Sequence, residues 1–140
     1  MFAFDTKGNL VEYKVLVKRA ATLPEPELTA LEKFGNFLYV ASYDDSTGAV
    51  IYSYDGRAKK LFSIAGGKVL TMLAYNDVLY MGLNNGRIMS YDGSVASTVY
   101  VATSAITRLR TDGAVLYATV QGGGEFLTTV DGVAWKINLF

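Results

Sequence analysis

Residues 28–39 read LTALEKFGNFLY, and this phrase returns as LTMLAYNDVLY at 70–80 and as ITRLRTDGAVLY at 106–117. A second phrase follows each copy: SYDG at 53–56, SYDG at 90–93 and TVDG at 129–132. The aspartates of the second phrase fall at positions 55, 92 and 131, so the period is 37 and then 39 residues. Self-similarity at this spacing is typical of repeat proteins, in which one unit cannot bury its apolar surface alone. The sequence therefore predicts an array of stacked units.

The second repeat indicates how one unit is built. Short apolar-rich runs at 69–74, 78–83, 87–91 and 95–102 are separated by the turn sequences ND, NNG and DG. Asn-Gly and Asp-Gly pairs are strong hairpin signals because their residues tolerate a positive φ. Each repeat is thus predicted to contain four antiparallel strands on short connections. Four strands in about 40 residues is the size of a β-propeller blade.

The N-terminal segment matches only half of such a unit. MFAFD at 1–5 is similar to IYSYD at 51–55, and residues 9–17 follow as an outer strand. The predicted fold class is all-β and β-propeller-like, with a half-blade at 1–27 and blades at 28–68, 69–105 and 106–140. Because a closed propeller has about 4–8 blades, three and a half blades leave two outer faces, which are expected to be apolar. The expected partners are other protein subunits or the rest of a longer chain.

Composition argues against several function classes. Lys plus Arg and Asp plus Glu both number 13, so there is no basic excess for nucleic acid. The chain has no His and no Cys, which removes the commonest general base, disulfides and many metal ligands. No cofactor and no metal site are predicted. No apolar run approaches the ~20 residues of a membrane helix, and the N-terminus does not read as a secretory signal. No membrane insertion is predicted, and the localisation stays open.

The end of the third repeat, TVDGVAW at 129–135, resembles a degenerate Asp-box, a hairpin in which an Asp-Gly turn lies over a tryptophan. Asp131, Gly132 and Trp135 match the family pattern in kind, whereas Thr129 and Ala134 depart from it and the spacing is one residue short. Asp-boxes are structural, so the resemblance implies turn-forming residues and a packed Trp135. The corresponding turn residues in the other two repeats are Asp55, Gly56, Asp92 and Gly93.

The phrase DGVxW at the end of a blade is also similar to phrases in propeller modules of bacteriophage tail and receptor-binding proteins. The predicted function is a non-catalytic binding or assembly module, a structural component of a larger complex such as a phage tail or virion. A glycan-binding, lectin-like propeller is the alternative. Tyrosines repeat at 39, 80 and 117 and again at 54 and 91, and repeated sugar sites would give this pattern. Packing of these rings between blades is the competing interpretation.

A glycoside hydrolase fragment is the third interpretation, because sialidases are propellers that use three arginines, a Tyr–Glu pair and an Asp. The arginines here lie at different points of the repeat, which favours solvated turn and edge charges. These residues are Arg19, Arg57, Arg87, Arg108 and Arg110. The oxygen-rich loop DDSTG at 44–48 lacks the EF-hand pattern, so a plain hairpin loop is predicted there and not a Ca²⁺ site. No catalytic residue is predicted.

Overall fold

The computed structural model describes residues 23–122 and 124–139, and these residues form three antiparallel sheets of four strands each. The first sheet contains β1 (Glu27–Phe34), β2 (Phe37–Asp44), β3 (Gly48–Tyr54) and β4 (Ala58–Ile64). The second contains β5 (Val69–Tyr75), β6 (Val78–Leu83), β7 (Arg87–Tyr91) and β8 (Ala96–Val101). The third contains β9 (Ile106–Thr111), β10 (Leu116–Val120), β11 (Glu125–Thr129) and β12 (Lys136–Leu139). Within each sheet the strands lie in chain order, so each sheet is a meander.

The prediction of an all-β, propeller-like fold built from three four-stranded units is confirmed. We call the three sheets the first, second and third blades. The predicted half-blade at 1–27 falls almost wholly outside the described residues, so it stays a prediction, as does the division of the chain at 28, 69 and 106. Across the described ranges, no helix has the length and apolar character needed to span a bilayer.

The hairpin turns use two different mechanisms. Between β5 and β6, Asn76 and Asp77 have φ values of 50° and 60°, as a type I′ turn requires. In the other two turns of this blade only the glycine has a positive φ, 91° at Gly86 and 102° at Gly93. There the Asp92 carboxylate accepts hydrogen bonds at 2.8 Å from the N–H groups two and three residues further on. The hairpins predicted at these Asn-Gly and Asp-Gly pairs are present, and each closes with one glycine of positive φ and a side-chain acceptor in place of two residues of positive φ.

The blades stack in chain order, and the second blade lies between the other two. Strand β1 packs beside β5, and β5 packs beside β9, so the inner strands line one side of the stack. One buried cluster joins the first and second blades, and another joins the second and third. We call the side of a blade that turns toward the lower-numbered blade its upstream face, and the opposite side its downstream face.

Candidate functional site

The two interfaces between blades define what a covered face looks like. Strand registers give equivalent positions in the three blades, counted from the hairpin between the two inner strands. On the upstream faces of the second and third blades these positions are apolar and buried. They are Val69, Met72, Leu79, Met81 and Leu83 in the second blade, and Ile106, Leu109, Leu116, Ala118 and Val120 in the third.

The downstream faces of the first two blades combine tyrosine with small residues. Tyr39 and Ala41 on β2 are equivalent to Tyr80 and Gly82 on β6, and all but Gly82 belong to the buried clusters between blades. A Cβ atom at Gly82 would collide with the side chain of Ile106, so this side chain of the third blade packs directly on the backbone of the second blade. Burial of Tyr39 and Tyr80 supports the packing interpretation of the repeated tyrosines.

Each interface also contains one hydrogen bond from a strand of one blade to a side chain of the blade before it. The Ala74 N–H donates to Glu32 Oε2 at 2.8 Å, and the Leu109 N–H donates to Thr71 Oγ1 at 3.2 Å. Both acceptors lie on the innermost strand of the upstream blade. A blade that is to be followed by another therefore carries an acceptor side chain on this strand.

The upstream face of the first blade keeps the apolar positions but leaves several of them exposed. Leu28, Leu31 and Leu38 are 60%, 57% and 37% exposed. Val69 and Leu79, which are the equivalents of Leu28 and Leu38 in the second blade, are 0% exposed. A groove of about 190 Å³ runs along this face. The residues that line it are Leu23, Leu28, Leu31, Leu38, Val40, Tyr52, Tyr54 and Ala58, and we call this surface the open face.

The middle of the open face is closed by the segment that leads into β1. Leu23 packs against Val40, Val50 and Tyr52, which are buried. Glu25 Oε1 accepts hydrogen bonds from Tyr52 Oη at 2.8 Å and from the buried Ser42 Oγ at 3.0 Å. Burial, with the hydrogen bond to the Glu25 carboxylate and its negative charge, raises the pKa of Tyr52 to about 12. The tyrosine therefore stays a protonated donor and fixes this segment to the blade.

The downstream face of the third blade has a different chemistry. Arg108 and Arg110 on β9 replace the acceptor Thr71 and the apolar Leu73 of the second blade. Arginine only donates hydrogen bonds, so it cannot accept one from the N–H of a following strand. Among the described residues no ion pair reaches either guanidinium. Side chains at the neighbouring positions of the same face are Tyr117, Thr119, Phe126, Thr128, Lys136 and Asn138, and we call this surface the capped face.

The sequence-based expectation of two apolar outer faces placed one of them on the half-blade at 1–27, almost all of which lies outside the described residues, and the other on the last blade, where the described residues show a largely polar face instead. The reason is the two-residue period of a strand, which lets one face change its chemistry while the other is kept. On β9 and β10, Leu109, Leu116 and Ala118 point to the second blade. The alternate positions, which point away from it, carry Arg108, Arg110, Tyr117 and Thr119.

The Asp-Gly turn of the third blade is held by a dense local network. Asp131 Oδ1 accepts hydrogen bonds from the N–H groups of Val133 at 2.8 Å and Ala134 at 2.9 Å, and from Thr129 Oγ1 at 3.0 Å. These bonds hold the pKa of Asp131 below its ordinary value. Gly132 has a φ of 78° and lies against the Tyr80 hydroxyl group, which leaves no room for a Cβ atom.

Trp135 lies beside this turn and is half-buried. Its indole Nε1 donates to the Gly132 carbonyl oxygen at 3.2 Å, and its ring lies 6.1 Å from that of Tyr100. The turns at Asp55 and Asp92 belong to hairpins of the first and second blades, and the Asp55 carboxylate accepts a single, longer hydrogen bond at 3.4 Å. Glycines 56 and 93 have no atom within reach of an added Cβ, so their turns are open to solvent. The structure does not bring these turn residues together.

The arginines do not converge within the described part of the chain. Arg87 Nη2 donates to the Ala65 carbonyl oxygen at 2.7 Å and so fixes the linker between the first two blades. Arg57 belongs to the turn after β3, Arg108 and Arg110 lie on the capped face, and Arg19 falls outside the described residues. This arrangement gives no triad of arginines of the sialidase kind.

The loop at 44–48 has the form of a closed turn. Asp44 Oδ1 accepts hydrogen bonds from the N–H and Oγ of Ser46 at 2.7 and 2.6 Å, which lower the pKa of Asp44. Across residues 23–122 and 124–139, no group of three or more His, Cys, Asp or Glu side chains is placed to hold a metal ion.

The residues that sequence reasoning missed are Glu25 and the exposed leucines of the open face. Glu25 lies between two prolines, a context that reads as a linker. Leu28 and Leu31 belong to the repeated phrase itself, and the same phrase is buried in the other blades. The repeated phrase itself pointed to these leucines, but only the register of β1 against β2 shows that they share one face of the sheet.

Stacked four-stranded meanders with their inner strands side by side define a β-propeller-like arc. Solved structures of propeller type share this architecture. The computationally designed protein Ika4 superposes with a TM-score of 0.57 at 11% identity, over 84% of this chain and 93% of that one. The designed protein Ika8 gives 0.54 at 11% identity, over 81% and 46%. YCF48 bound to D1 peptide gives 0.61 at 15% identity, over 84% and 41%.

These identities show a shared fold and nothing more. The chain spans less than half the length of the Ika8 and YCF48 chains that it matches. No protein-family model and no curated protein matches the sequence.

Proposed function

We propose that the protein is a non-catalytic propeller module that acts by binding another protein, and that the open face of the first blade is its binding surface. The observation that carries this proposal is the exposure of Leu28, Leu31 and Leu38. Their positions are built for contact with another blade, because the equivalent residues of the other two blades are buried. Full burial of a leucine side chain contributes about 1.5–3 kcal/mol, and each of these partly exposed leucines would contribute a fraction of that before the costs of association.

The size and chemistry of the groove favour a polypeptide ligand over a small molecule. Its volume of about 190 Å³ is below the ~300–1,000 Å³ of typical small-molecule sites. Its lining is aliphatic and aromatic, as in the buried core of a protein interface. YCF48, a protein of similar fold, has been solved with a peptide bound, which supports a polypeptide ligand for this chain as well.

The finer sequence-based roles stay predictions. A place in a phage tail or virion depends on the DGVxW phrase alone, and the described residues add nothing to it. The glycan-binding alternative loses part of its support, because Tyr39, Tyr80 and Tyr91 are buried and cannot stack on a sugar, whereas Tyr54 and Tyr117 are half-buried. A hydrolase role has no convergent set of titratable side chains to support it in the described part of the chain.

Site-specific photocross-linking in the cells that produce the protein tests the proposal. A photoreactive phenylalanine derivative at position 31 probes the open face, and the same derivative at position 119 probes the capped face as a matched control. We expect a discrete adduct with one other protein from position 31 and none from position 119. Equal adducts from the two positions, or none from position 31, would contradict the proposal.

A further inference from the structure

The open face carries two lysines, one at each end of its groove. Lys33 on β1 pairs with Leu38, and Lys60 on β4 pairs with Tyr52. Residues that lie directly opposite each other in an antiparallel ladder project from the same side of the sheet. Because Leu38 and Tyr52 line the groove, both lysine side chains lie on the open face.

The groove between the two lysines is apolar and crosses the whole sheet. Its lining begins with Leu31 on β1 and ends with Ala58 on β4, and aliphatic and tyrosine side chains of β2 and β3 lie between them. Neighbouring strands are about 4.8 Å apart, so the strands that hold the two lysines are separated by about 14 Å. The face therefore presents an apolar centre with a positive charge on each side.

Neither lysine is neutralised by a described residue. Both side chains are exposed, and the one ion pair within the described ranges joins Lys68 to Glu27. The carboxylate that lies on the open face, that of Glu25, accepts hydrogen bonds from Tyr52 and Ser42 through its Oε1. A lysine ammonium group has three hydrogen-bond donors and no acceptor, so the two cations can each take a carboxylate from outside.

The covered upstream faces of the other two blades have no charge at the equivalent positions. Ala74 and Thr111 are equivalent to Lys33 by register. Thr98 and Ile137 are equivalent to the second lysine. Contact with an apolar blade face suits these neutral side chains, but an unpaired cation buried there would pay a desolvation cost. The open face therefore calls for an occupant that carries negative charge.

We propose that the open face binds a segment of another protein in which an apolar centre is flanked by two carboxylate side chains, and that these pair with Lys33 and Lys60. The inference rests on the proposed function and names the chemistry of the partner. The two carboxylates are expected to lie about 14 Å apart, as the lysine-bearing strands do. Charge complementarity of this kind speeds encounter and rejects partners of like charge.

Charge also argues against two other occupants. The outer face that a second copy would offer from its described residues is the capped face, and its cations Arg108, Arg110 and Lys136 would meet the two lysines. Like charges that are brought together at an interface oppose association. Residues 1–22 carry more basic than acidic side chains, so their net charge has the wrong sign as well. Both comparisons favour an acidic segment of a different protein.

Charge reversal on the open face tests the inference, with the photocross-link from position 31 as the readout. The double variant Lys33→Glu, Lys60→Glu makes both pairs repulsive, so we expect about a tenfold loss of the adduct. The matched control is Lys59→Glu with Lys136→Glu, which changes the net charge equally. Lys59 lies on the opposite side of β4, and Lys136 lies on the capped face. The control should form as much adduct as the wild type.

A compensating change in the partner separates a charge pair from an altered fold. Mass spectrometry locates the cross-linked segment, which is expected to carry Asp or Glu on both sides of the attachment point. Lysine in place of these acidic residues should weaken the adduct with the wild type and restore it with the double variant. Lys60→Glu also places a new carboxylate on the face that holds Glu25. Displacement of the Glu25 segment would not be reversed by a change in the partner, so the rescue is specific to the charge pairs.

The possible outcomes distinguish the inference from the proposed function. Equal adducts from the double variant and its control, or a cross-linked segment of another protein that lacks acidic residues, would overturn the inference while the proposed function stands. An adduct with a second copy or with another part of the same chain, or no adduct from position 31 of the wild type, would count against the proposed function. The inference would then fall with it.

Discussion

The open face of the first blade and the capped face of the third differ in polarity. Both are outer surfaces of one stack, yet exposed leucines line the first, whereas arginine, threonine and lysine lie beside Tyr117 and Phe126 on the second. Terminal units of repeat proteins usually carry polar outer faces, which keep the stack soluble. The third blade follows this rule and the first blade departs from it. The departure marks the surface at which the stack is expected to continue.

Truncation of one repeated leucine is expected to give the largest effect and to separate covered from open positions. Leu38, Leu79 and Leu116 are equivalent by register, but only Leu38 is exposed. Leu79→Ala and Leu116→Ala should each lower the free energy of unfolding by about 2–5 kcal/mol, because each empties a fully buried site. Leu38→Ala should cost about 1 kcal/mol or less in the isolated chain, since little buried volume is lost. Urea denaturation measures all three, and equal losses would show that the open face is covered.

Replacement of a buried threonine tests how firmly the turn of the third blade is fixed to its sheet. Thr129 Oγ1 accepts a buried hydrogen bond from the Gly132 N–H at 2.9 Å. Thr129→Val keeps the shape of the side chain but leaves this N–H unsatisfied, so we expect a loss of about 1–3 kcal/mol. Thr119→Val on the capped face is the control and should change the free energy of unfolding by less than about 0.5 kcal/mol. Similar losses for the two variants would contradict the capped-face assignment.

Stability at high pH should report the bond between Tyr52 and Glu25. The pKa of Tyr52 is raised from 10.0 to about 12 in the folded chain, so its stabilising contribution is complete below pH 10 and is lost as the pH rises toward 12. The stability difference between the wild type and Tyr52→Phe should therefore shrink over this window. Denaturant titrations of both proteins at several pH values measure it. Parallel curves for the two proteins would place the Tyr52 hydroxyl group in solvent.

Restoration of an apolar downstream face on the third blade should change surface properties with little change in stability. Arg108→Thr with Arg110→Leu copies the pair Thr71 and Leu73 of the second blade. Hydrophobic-dye fluorescence should rise because a second apolar patch is exposed, while the free energy of unfolding stays within about 0.5 kcal/mol. The wild type and a conservative Arg108→Lys, Arg110→Lys variant serve as controls. Unchanged dye fluorescence would mean that the arginines are not what keeps this face polar.

The strands were predictable because apolar runs and turn residues alternate in the sequence. Residues 78–83 and 87–91 were identified as strands with the bounds that the structure has, since glycine and asparagine turns bracket them. The mechanism of the turns was harder to predict, because Asp92 closes its turn through its carboxylate and only Gly93 takes a positive φ there.

The difference between the outer faces could not be read from the sequence alone. Arg108 and Arg110 read as edge charges, and only their pairing with Thr119 and Tyr117 places both on one face. Glu25 read as part of a linker, although it accepts hydrogen bonds from two side chains that lie 17 and 27 positions later in the chain. Both features depend on contacts between distant residues, which a local pattern does not encode.

The arginines of β9 also bear on how copies of this chain can contact one another. A subunit with two mutually complementary ends adds copies without limit and grows into fibres when the rotation between copies does not close a ring. Here Arg108 and Arg110 occupy the positions of an acceptor and of an apolar side chain, so the described part of the chain offers one outer face, not two, for the kind of contact that its blades make. Under the proposed function, we therefore expect an assembly through the open face to be finite, with one chain to each partner site.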